Sequence, residues 1–461
     1  MRLHVLTMAL VGGCAAGALL AEAPAQPAAA TVNRIFTEAL EHGQAYDHLR
    51  ELTTRYPGRL GGTAALAGAV EWGRSVLAAT GADRVYTQDV QVPHWDRGGP
   101  AAVSLLLPSG PVPLAAVALG NTGSTPEGGV TAEVLMVHSL AEVEQLGPTG
   151  AAGKIVFYNR PMPPGFAQTF EAYAAAGDQR NQGPAVAAGR GAAAVLVRSL
   201  SLAHDDVPHT GNSARPKDGP LVAAAALSTN AADRLAAALA ADPHVRVSIS
   251  LHGRVLPDAP SHNVIGEIRG SEFPDQVIVV GGHLDSWDIT PGAHDDGAGI
   301  VQSLEVLRIF RALGLKPRHT LRCVMFTNEE NGLAGATRYA SLARDAGEHH
   351  ILAVETDSGG FTPTGFNLGS TQGNAHERAQ RWLPLFEPWG IWRFAKGSGG
   401  ADVNQLLLLG VPVAGLAPDS QRYFDYHHTA IDTLDKVNPR ELHLGAAALA
   451  ALIWLVDTEG L

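Results

Sequence analysis

Cysteine is almost absent from this chain, which has 2 cysteines among 461 residues. Cys14 lies in an apolar N-terminal stretch, so removal of that stretch would leave Cys323 alone and no intrachain disulfide could form. Basic residues are also scarce, because 33 lysines and arginines face 45 aspartates and glutamates, for a formal net charge of −12. Nucleic-acid binding requires a basic surface that displaces counterions, and this composition argues against such a partner.

The apolar run at the N-terminus is short for a membrane span. Residues 1–23 begin with Arg2, continue with apolar residues and end in Ala-Glu-Ala, which is the order of an export signal and its cleavage site. We therefore expect an exported protein, periplasmic or secreted, with no membrane span in the mature chain. An uncleaved N-terminal anchor is one alternative. Lipoprotein anchoring through Cys14 is another, disfavoured because apolar residues continue past it.

The remaining sequence changes texture along its length. Residues 24–32 are rich in proline and alanine and predict a disordered spacer. Residues 33–119 predict helices and a strand that belong to the main domain, which continues over residues 256–461. Residues 120–255 carry short apolar strands among glycines and prolines and predict an inserted β-rich domain. Apart from His204-Asp205-Asp206, which we interpret as part of a solvated loop, we find no acids or histidines with ligand spacing in it. We therefore expect it to control access or assembly rather than chemistry.

From about residue 261 the sequence has an α/β pattern. The runs QVIVVGG, TLRCVMFT and ILAVET predict strands, and GIVQSLEVLRIFRALG between the first two predicts a helix. Alternating strands and helices indicate a mainly parallel sheet. The three runs lead into His283 and Asp285, into Glu329 and Glu330, and into Asp357. Ligands of such sheets bind outside the carboxyl ends of the strands, so we expect these side chains to meet at one edge.

Two further segments add groups of the same kind. GAHDDGAG, residues 292–299, supplies Asp295 and Asp296 where a helix begins, and YFDYHHTAIDT supplies His427 and His428. Imidazoles and carboxylates without thiolates suit zinc or another divalent first-row metal. Histidine is a poor calcium ligand. The groups exceed the needs of one site that keeps a water, and they predict two cations that share a carboxylate.

The motifs HLDS, DDGAG, NEENGLAGA, ETDSGG and HHTAIDT together resemble those of peptidase family M28, the co-catalytic zinc aminopeptidases. The chain is most similar to the carboxypeptidase Q branch of that family. The resemblance covers residues 33–461, with residues 120–255 in the place of the protease-associated domain. It implies the zinc-exopeptidase fold, an α/β fold with a mainly parallel mixed sheet flanked by helices.

The resemblance also assigns roles within the site. It implies that Asp295 bridges two zinc ions and that Glu329 is the general base. The remaining ligands divide into one pair for each ion: His283 with Asp357, and Glu330 with His428. Asp285 is expected to orient a ligand, with a solvated acid as the alternative, and Asp296 to be a loop or N-cap acid.

Three residues near the last ligand are candidates for substrate binding. His427 stands where many aminopeptidases of the family have a tyrosine, so the donor to the oxyanion is open. His427 is expected either to contact substrate or to pack beside His428. Tyr423 and Tyr426 offer hydroxyl groups, with packing as the alternative for each.

The resemblance implies a di-zinc exopeptidase that hydrolyses dipeptides or short peptides with a free N-terminus, and a homodimer. Three other functions stay open. A glutaminyl-cyclase-type cyclotransferase shares the fold but uses one metal. Another zinc amide hydrolase, such as a deacylase, differs only in substrate. A non-catalytic receptor-like ectodomain should lack ligands or the base, whereas all six groups are present here.

Overall fold

The structure is a computed structural model that describes residues 26–216, 219, 221–371 and 373–461. The predicted export signal lies outside these residues. The described chain forms two eight-stranded sheets. Their strands, in chain order, are β1 (Arg84–Asp96), β2 (Ala102–Leu107), β3 (Gly110–Pro113), β4 (Ala116–Ala118), β5 (Val130–Val137), β6 (Ile155–Tyr158), β7 (Ala194–Arg198), β8 (Ala224–Leu227), β9 (Arg246–Ser250), β10 (Arg254–Ile268), β11 (Phe273–His283), β12 (His319–Phe326), β13 (His349–Glu355), β14 (Pro363–Gly369), β15 (Arg393–Lys396) and β16 (Val413–Pro418).

Helices cover both faces of the sheets. The described α-helices are α1 (Gln26–His42), α2 (Ala45–Arg55), α3 (Ala64–Ala79), α4 (Leu140–Glu144), α5 (Thr169–Ala176), α6 (Asp178–Asn181), α7 (Gly183–Ala188), α8 (Thr229–Ala241), α9 (Ala298–Ala312), α10 (Ala334–Ala346), α11 (Ala375–Ala379), α12 (Leu383–Phe386), α13 (Asn404–Leu407), α14 (Tyr423–Tyr426) and α15 (Pro439–Glu459). Short 3-10 helices occupy Gln380–Trp382, Glu387–Trp389 and Leu434–Lys436, and a π-helical turn, Ala293–Gly297, precedes α9.

The first sheet has the strand order β1-β10-β12-β11-β13-β16-β14-β15. Its central strands β12, β11, β13 and β16 are parallel, and antiparallel strands flank them. The apolar runs predicted as strands form β11, β12 and β13, whose side chains are almost all buried. Parallel strands covered on both faces require such continuous apolar sequence. The predicted helix between β11 and β12 is α9.

The register of this sheet brings the predicted site residues to one edge. His283 at the end of β11 pairs with Phe326 at the end of β12, and Gly281 pairs with Glu355 at the end of β13. Because the three strands are parallel, the chain leaves all of them on the same side. The polar segments after β12 and β13 therefore begin next to His283.

The second sheet has the order β3-β2-β9-β5-β6-β7-β8-β4 and is also mixed, with β5, β6, β7 and β8 parallel. Helices α4 to α8 are interspersed among its strands, so this region is α/β and not only β-rich. The predicted boundary at residue 120 falls inside this sheet, because β2, β3 and β4 precede it. Residues 97–253, which run from β1 to β10, are called the insert below, and the rest of the described chain is called the main part.

Residues 26–32, predicted as part of a disordered spacer, are the first turns of α1. The helix places Val32, Ile35 and Phe36 in the core with no exposed surface. Alanine has the highest helix propensity, and burial of this apolar face supplies the tertiary stabilisation that the composition of the spacer did not reveal. The helical pattern predicted after residue 33 is divided at Gly43 and Gln44 into α1 and α2.

The last helix, Pro439–Glu459, is the one described helix whose length and hydropathy would allow it to cross a membrane. Of its most apolar window, 72% is buried inside the protein, as in a core helix of a globular fold. It packs mainly on α1 and α9.

Candidate metal centre

Two groups of potential ligands meet at the carboxyl edge of the first sheet. The His283 Nε2 atom lies 3.2 Å from Asp295 Oδ1 and 3.7 Å from Asp357 Oδ1. The His428 Nε2 atom lies 3.4 Å from Asp295 Oδ2 and 3.1 Å from Glu330 Oε2. The Asp295 carboxylate therefore lies between the two groups and turns one oxygen toward each. This is the arrangement expected of a carboxylate that two cations share.

Two carboxylate oxygens of the site are available to bind cations, because they have no hydrogen-bond partner among the described residues. They are Asp295 Oδ2 and Asp357 Oδ1, and both are buried. Burial raises the pKa of Glu330 well above its ordinary value, and the Asp295 carboxylate raises it further. Burial also lowers the pKa of His428 well below its ordinary value, which keeps the imidazole neutral. Buried carboxylates crowded in this way require a positive counter-charge, and zinc accepts this combination of imidazole and carboxylate ligands.

Asp285 lies behind the ligands and holds the backbone that follows β12. Its two carboxylate oxygens accept the N–H groups of Glu329 at 3.0 Å and Glu330 at 3.3 Å. Its backbone carbonyl lies 3.1 Å from His283 Nδ1, which donates to it. One residue thus orients the ring of His283 and the turn that carries both glutamates. Burial raises the pKa of Glu329 to about 8. The same residue lines an open cleft.

The loop before α9 is held by buried acids. Asp432 accepts the N–H groups of His294 at 2.8 Å and Asp295 at 3.1 Å, which fixes the backbone that carries the Asp295 carboxylate. Asp296 accepts the N–H of Gly299 at 3.0 Å, as an N-cap acid would, and the N–H of His283 at 3.0 Å. A carboxylate oxygen of Asp296 also lies within 4.8 Å of a ring nitrogen of His283 and of a carboxylate oxygen of Asp357.

The sequence analysis assigns no role to two residues that hold the backbone of the site. Arg59 is fully buried and donates to the carbonyls of Leu284 at 2.6 Å and Gly292 at 2.9 Å. It thereby links the segment after β11 to the loop before α9. Asp432 belongs to the quoted motif HHTAIDT, but its role is to accept backbone N–H groups. Partners of backbone atoms are set by the fold and not by side-chain spacing, and sequence reasoning therefore missed both.

The three residues predicted near the last ligand have different surroundings. The His427 ring stacks on that of His428 at 3.5 Å, and its Nε2 lies 3.7 Å from Asp295 Oδ2. Tyr423 is 2% exposed and lines the cleft beside His427. The Tyr426 ring stacks on that of His294, with 5.5 Å between the ring centroids, and so has a packing role. Tyr426 is not one of the described residues that line the ligand-bearing cavity.

The cleft consists of two adjoining cavities of about 480 Å³ and 460 Å³, and four of the five potential ligands line the second: Asp295, Glu330, Asp357 and His428. The main part contributes Asp295, Glu329, Glu330 and Asp357 to the ligand-bearing cavity. The insert forms the opposite wall of that cavity with Phe170, Tyr173, Arg180, Asn181, Asn212 and Ala214. Phe170 and Asp357 line both cavities and mark their junction.

Comparison with known proteins gives concordant results. Residues 263–453 match peptidase family M28. Carboxypeptidase Q of Bos taurus is 35% identical over 413 residues, which is 90% of this chain and 85% of that protein. A crystal structure described as a peptidase M28 precursor from Shewanella amazonensis is 33% identical, with a TM-score of 0.89 over 94% of this chain and 98% of that one. An aminopeptidase from Aneurinibacillus sp. strain AM-1 shares the fold, with a TM-score of 0.64 at 22% identity over 92% of this chain and 95% of that one.

Proposed function

The chain belongs to peptidase family M28 and is a zinc metallopeptidase similar to carboxypeptidase Q, and on that premise we propose that it is a di-zinc exopeptidase for dipeptides and short peptides with a free N-terminus. The observation that carries the proposal is the Asp295 carboxylate, which faces one ligand group with each oxygen. His283 and Asp357 would hold one zinc ion, and Glu330 and His428 would hold the other.

Bound at these ligands, zinc would polarise the scissile carbonyl and lower the pKa of the attacking water. The protein contributes the proton transfers and the positioning. Glu329 accepts the proton of the water and delivers it to the nitrogen of the leaving amine, as a general base and then a general acid. Asp285 holds the backbone N–H of Glu329 and so keeps that carboxylate at the wall of the cleft. We assign His427 and Tyr423 to substrate contact, because both line the cleft beside Asp295.

Short substrates follow from the shape of the cleft. Cavities of several hundred cubic ångströms are typical of small-molecule sites. The ligand-bearing cavity has a volume of about 460 Å³, and the insert closes its far side with Phe170 and Tyr173. We propose that this wall admits dipeptides and hinders longer chains. The insert would then act as the protease-associated domain of this chain, and residues 1–23 would direct its export.

The test is metal analysis of the purified full-length protein together with a panel of dipeptides. We expect two zinc ions per chain, loss of hydrolysis after chelation and its return on addition of zinc. The same dipeptides with an acetylated N-terminus are the matched control and should be poor substrates. Faster hydrolysis of the acetylated series would identify a deacylase instead, and activity that survives complete metal removal would refute the proposal.

A further inference from the structure

The insert contacts the backbone of both histidines that precede Thr429. The His209 Nδ1 atom lies 2.8 Å from the carbonyl oxygen of His427, and since a carbonyl only accepts, the ring donates. The backbone N–H of Thr210 donates to the carbonyl of His428 at 2.9 Å. His428 itself has a φ of 63°, in the left-handed region that non-glycine residues rarely adopt. Two consecutive residues of the insert therefore hold the backbone of His428, the one of the five potential ligands that has a positive φ.

The insert also contacts the ring of that ligand. His428 Nδ1 lies 3.3 Å from the carbonyl oxygen of Thr210. When Nε2 binds a cation, Nδ1 carries the proton, and a carbonyl is a suitable acceptor for it. Arg180 lies 3.3 Å from the same Nδ1 and donates to the Thr210 carbonyl at 3.4 Å, which fixes the position of that acceptor. Gly211 allows this approach, because a Cβ there would lie 2.5 Å from Arg180 Cζ.

The other ligand of the same group is also close to the insert. Asn121 of the insert donates to the carbonyl of Asn331 at 3.4 Å, next to Glu330 in the chain. On the opposite side of Asp295 the ring of His283 is oriented from within the main part, through the carbonyl of Asp285. The two ligand groups therefore differ in what holds them. The insert contacts the group that contains Glu330 and His428, whereas the ring of His283 is held from within the main part.

We propose that His209 and Thr210 are positioning residues of the metal centre, through which the insert sets the affinity of the zinc ion held by Glu330 and His428. This inference rests on the proposed two-metal function and extends it. It assigns to the insert a part in building the site, whereas the sequence predicted a part in access or assembly and none in the chemistry. Loss of an outer partner of a metal ligand typically weakens metal binding by ~10–100-fold.

The experiment measures both zinc dissociation constants of the full chain by chelator competition, with metal counting by mass spectrometry. In His209→Leu, which fills the volume but cannot donate, we expect one zinc to bind ~10–100-fold more weakly and the other to be unchanged. His209→Asn places an N–H near the position of Nδ1 and should restore the affinity. Ser201→Ala removes another hydrogen bond from the insert, to the carbonyl of Phe424, and is the matched control with wild-type binding of both ions.

A second arm identifies the affected site. In a His428→Ala background, His209→Leu should not weaken the remaining ion further, whereas in an Asp357→Asn background it should. If His209→Leu does not fold, as judged by circular dichroism, His209→Phe carries the same test, because it keeps an aromatic ring at that position and removes the same donor. Folded variants in which neither zinc affinity differs from wild type, or in which both affinities fall by the same factor, would overturn the inference. A wild-type protein that binds fewer than two ions would instead refute the proposed function.

Discussion

Glu329 and Glu330 are adjacent in the chain, yet their carboxylates have different surroundings. Glu330 Oε2 lies 3.1 Å from His428 Nε2, and Glu330 Oε1 accepts the N–H of Trp287 at 3.1 Å. Both oxygens are therefore committed to the ligand group and its support. Glu329 is only half-buried, lines the cleft and is anchored by its backbone N–H to Asp285. This difference supports the proposal that Glu330 holds a cation and that Glu329 exchanges protons with the substrate.

We predict that Glu329→Gln retains the metals and loses most of the activity. The amide preserves the shape of the side chain but cannot take the proton of the attacking water, and loss of a general base typically costs ~10²–10⁴-fold in rate. The measurements are kcat on a dipeptide and zinc content. Glu127→Gln, at an exposed position of the insert, is the control and should behave as wild type. A Glu329→Gln protein with intact metal and near-normal turnover would show that another group is the base.

We further predict that Asp295→Asn weakens the binding of both zinc ions, whereas His428→Ala mainly removes one. Asp295 offers an oxygen to each ligand group, whereas His428 belongs to one group. Zinc counting after dialysis against a weak chelator distinguishes the two variants. If both variants lost the same amount of metal, Asp295 could not be the shared ligand.

At the scale of single residues, the sequence predicted which imidazoles and carboxylates would lie close together. His283, Asp295, Glu330, Asp357 and His428 occur where strands and loops end, and the structure brings them together. Residues whose partners are backbone atoms could not be predicted in this way. The carbonyl of Thr210, for example, has no signature in the sequence, and its proximity to His428 results from the docking of the insert on the main part.

At the scale of elements, the pattern of apolar residues predicted the strands and the helix whose side chains are almost all buried. It was misleading where contacts with the rest of the fold determine the secondary structure. The apolar runs of β11, β12 and β13 and the pattern of α9 were predicted correctly. The start of α1 was predicted wrongly, because an alanine-rich segment becomes a helix when a core face is available to it. The predicted start of the insert, residue 120, lies after β2 to β4, which belong to the second sheet. These strands do not differ in composition from the segment before them, and only their pairing assigns them to that sheet.

His350, on β13, gives this strand a pH-dependent stability. Its ring is buried, and its Nε2 lies 2.9 Å from the Tyr339 hydroxyl of α10, within hydrogen-bond distance. Burial lowers the pKa of His350 to about 4 from an ordinary 6.5, and the charge of Arg322 lowers it further. Between these two pH values the unfolded chain therefore binds the proton more readily than the folded protein. The free energy of unfolding must decrease as the pH falls through this window.

We predict that His350→Gln removes part of this acid destabilisation. Glutamine can still accept a hydrogen bond from Tyr339 but does not titrate, so the stability of wild type relative to the variant should fall by up to ~3 kcal/mol from pH 6.5 to pH 4. Urea unfolding at a series of pH values measures the difference. His138→Gln, at an exposed position, is the control and should follow the wild-type curve. Parallel curves for wild type and His350→Gln would contradict the assignment.

At the scale of the whole molecule, the two sheets are joined more closely than a linked pair of domains would be. β1 and β10 pair over their full lengths, from Arg84 with Glu267 to Asp96 with Arg254, and the insert leaves from their far end. The apolar cluster beneath the second sheet includes Leu60, Trp95 and Trp287 of the main part. This shared core places the insert firmly enough to form one wall of the cleft and to reach His428.

That wall leads to a prediction about substrate length. Phe170 of the insert is 38% exposed, stacks on Tyr423 at a ring distance of 5.2 Å and lies where the two cavities of the cleft meet. Phe170→Ala should enlarge this junction and raise kcat/KM for tripeptides several-fold relative to dipeptides, with zinc content unchanged. Phe166→Ala is the matched control, because Phe166 is similarly exposed, at 41%, but is not among the residues that line either cavity. If the ratio of kcat/KM for tripeptides to that for dipeptides is unchanged in Phe170→Ala, this wall of the insert does not limit the length of the substrate. A preference for short peptides would then have to come from contacts with the substrate termini.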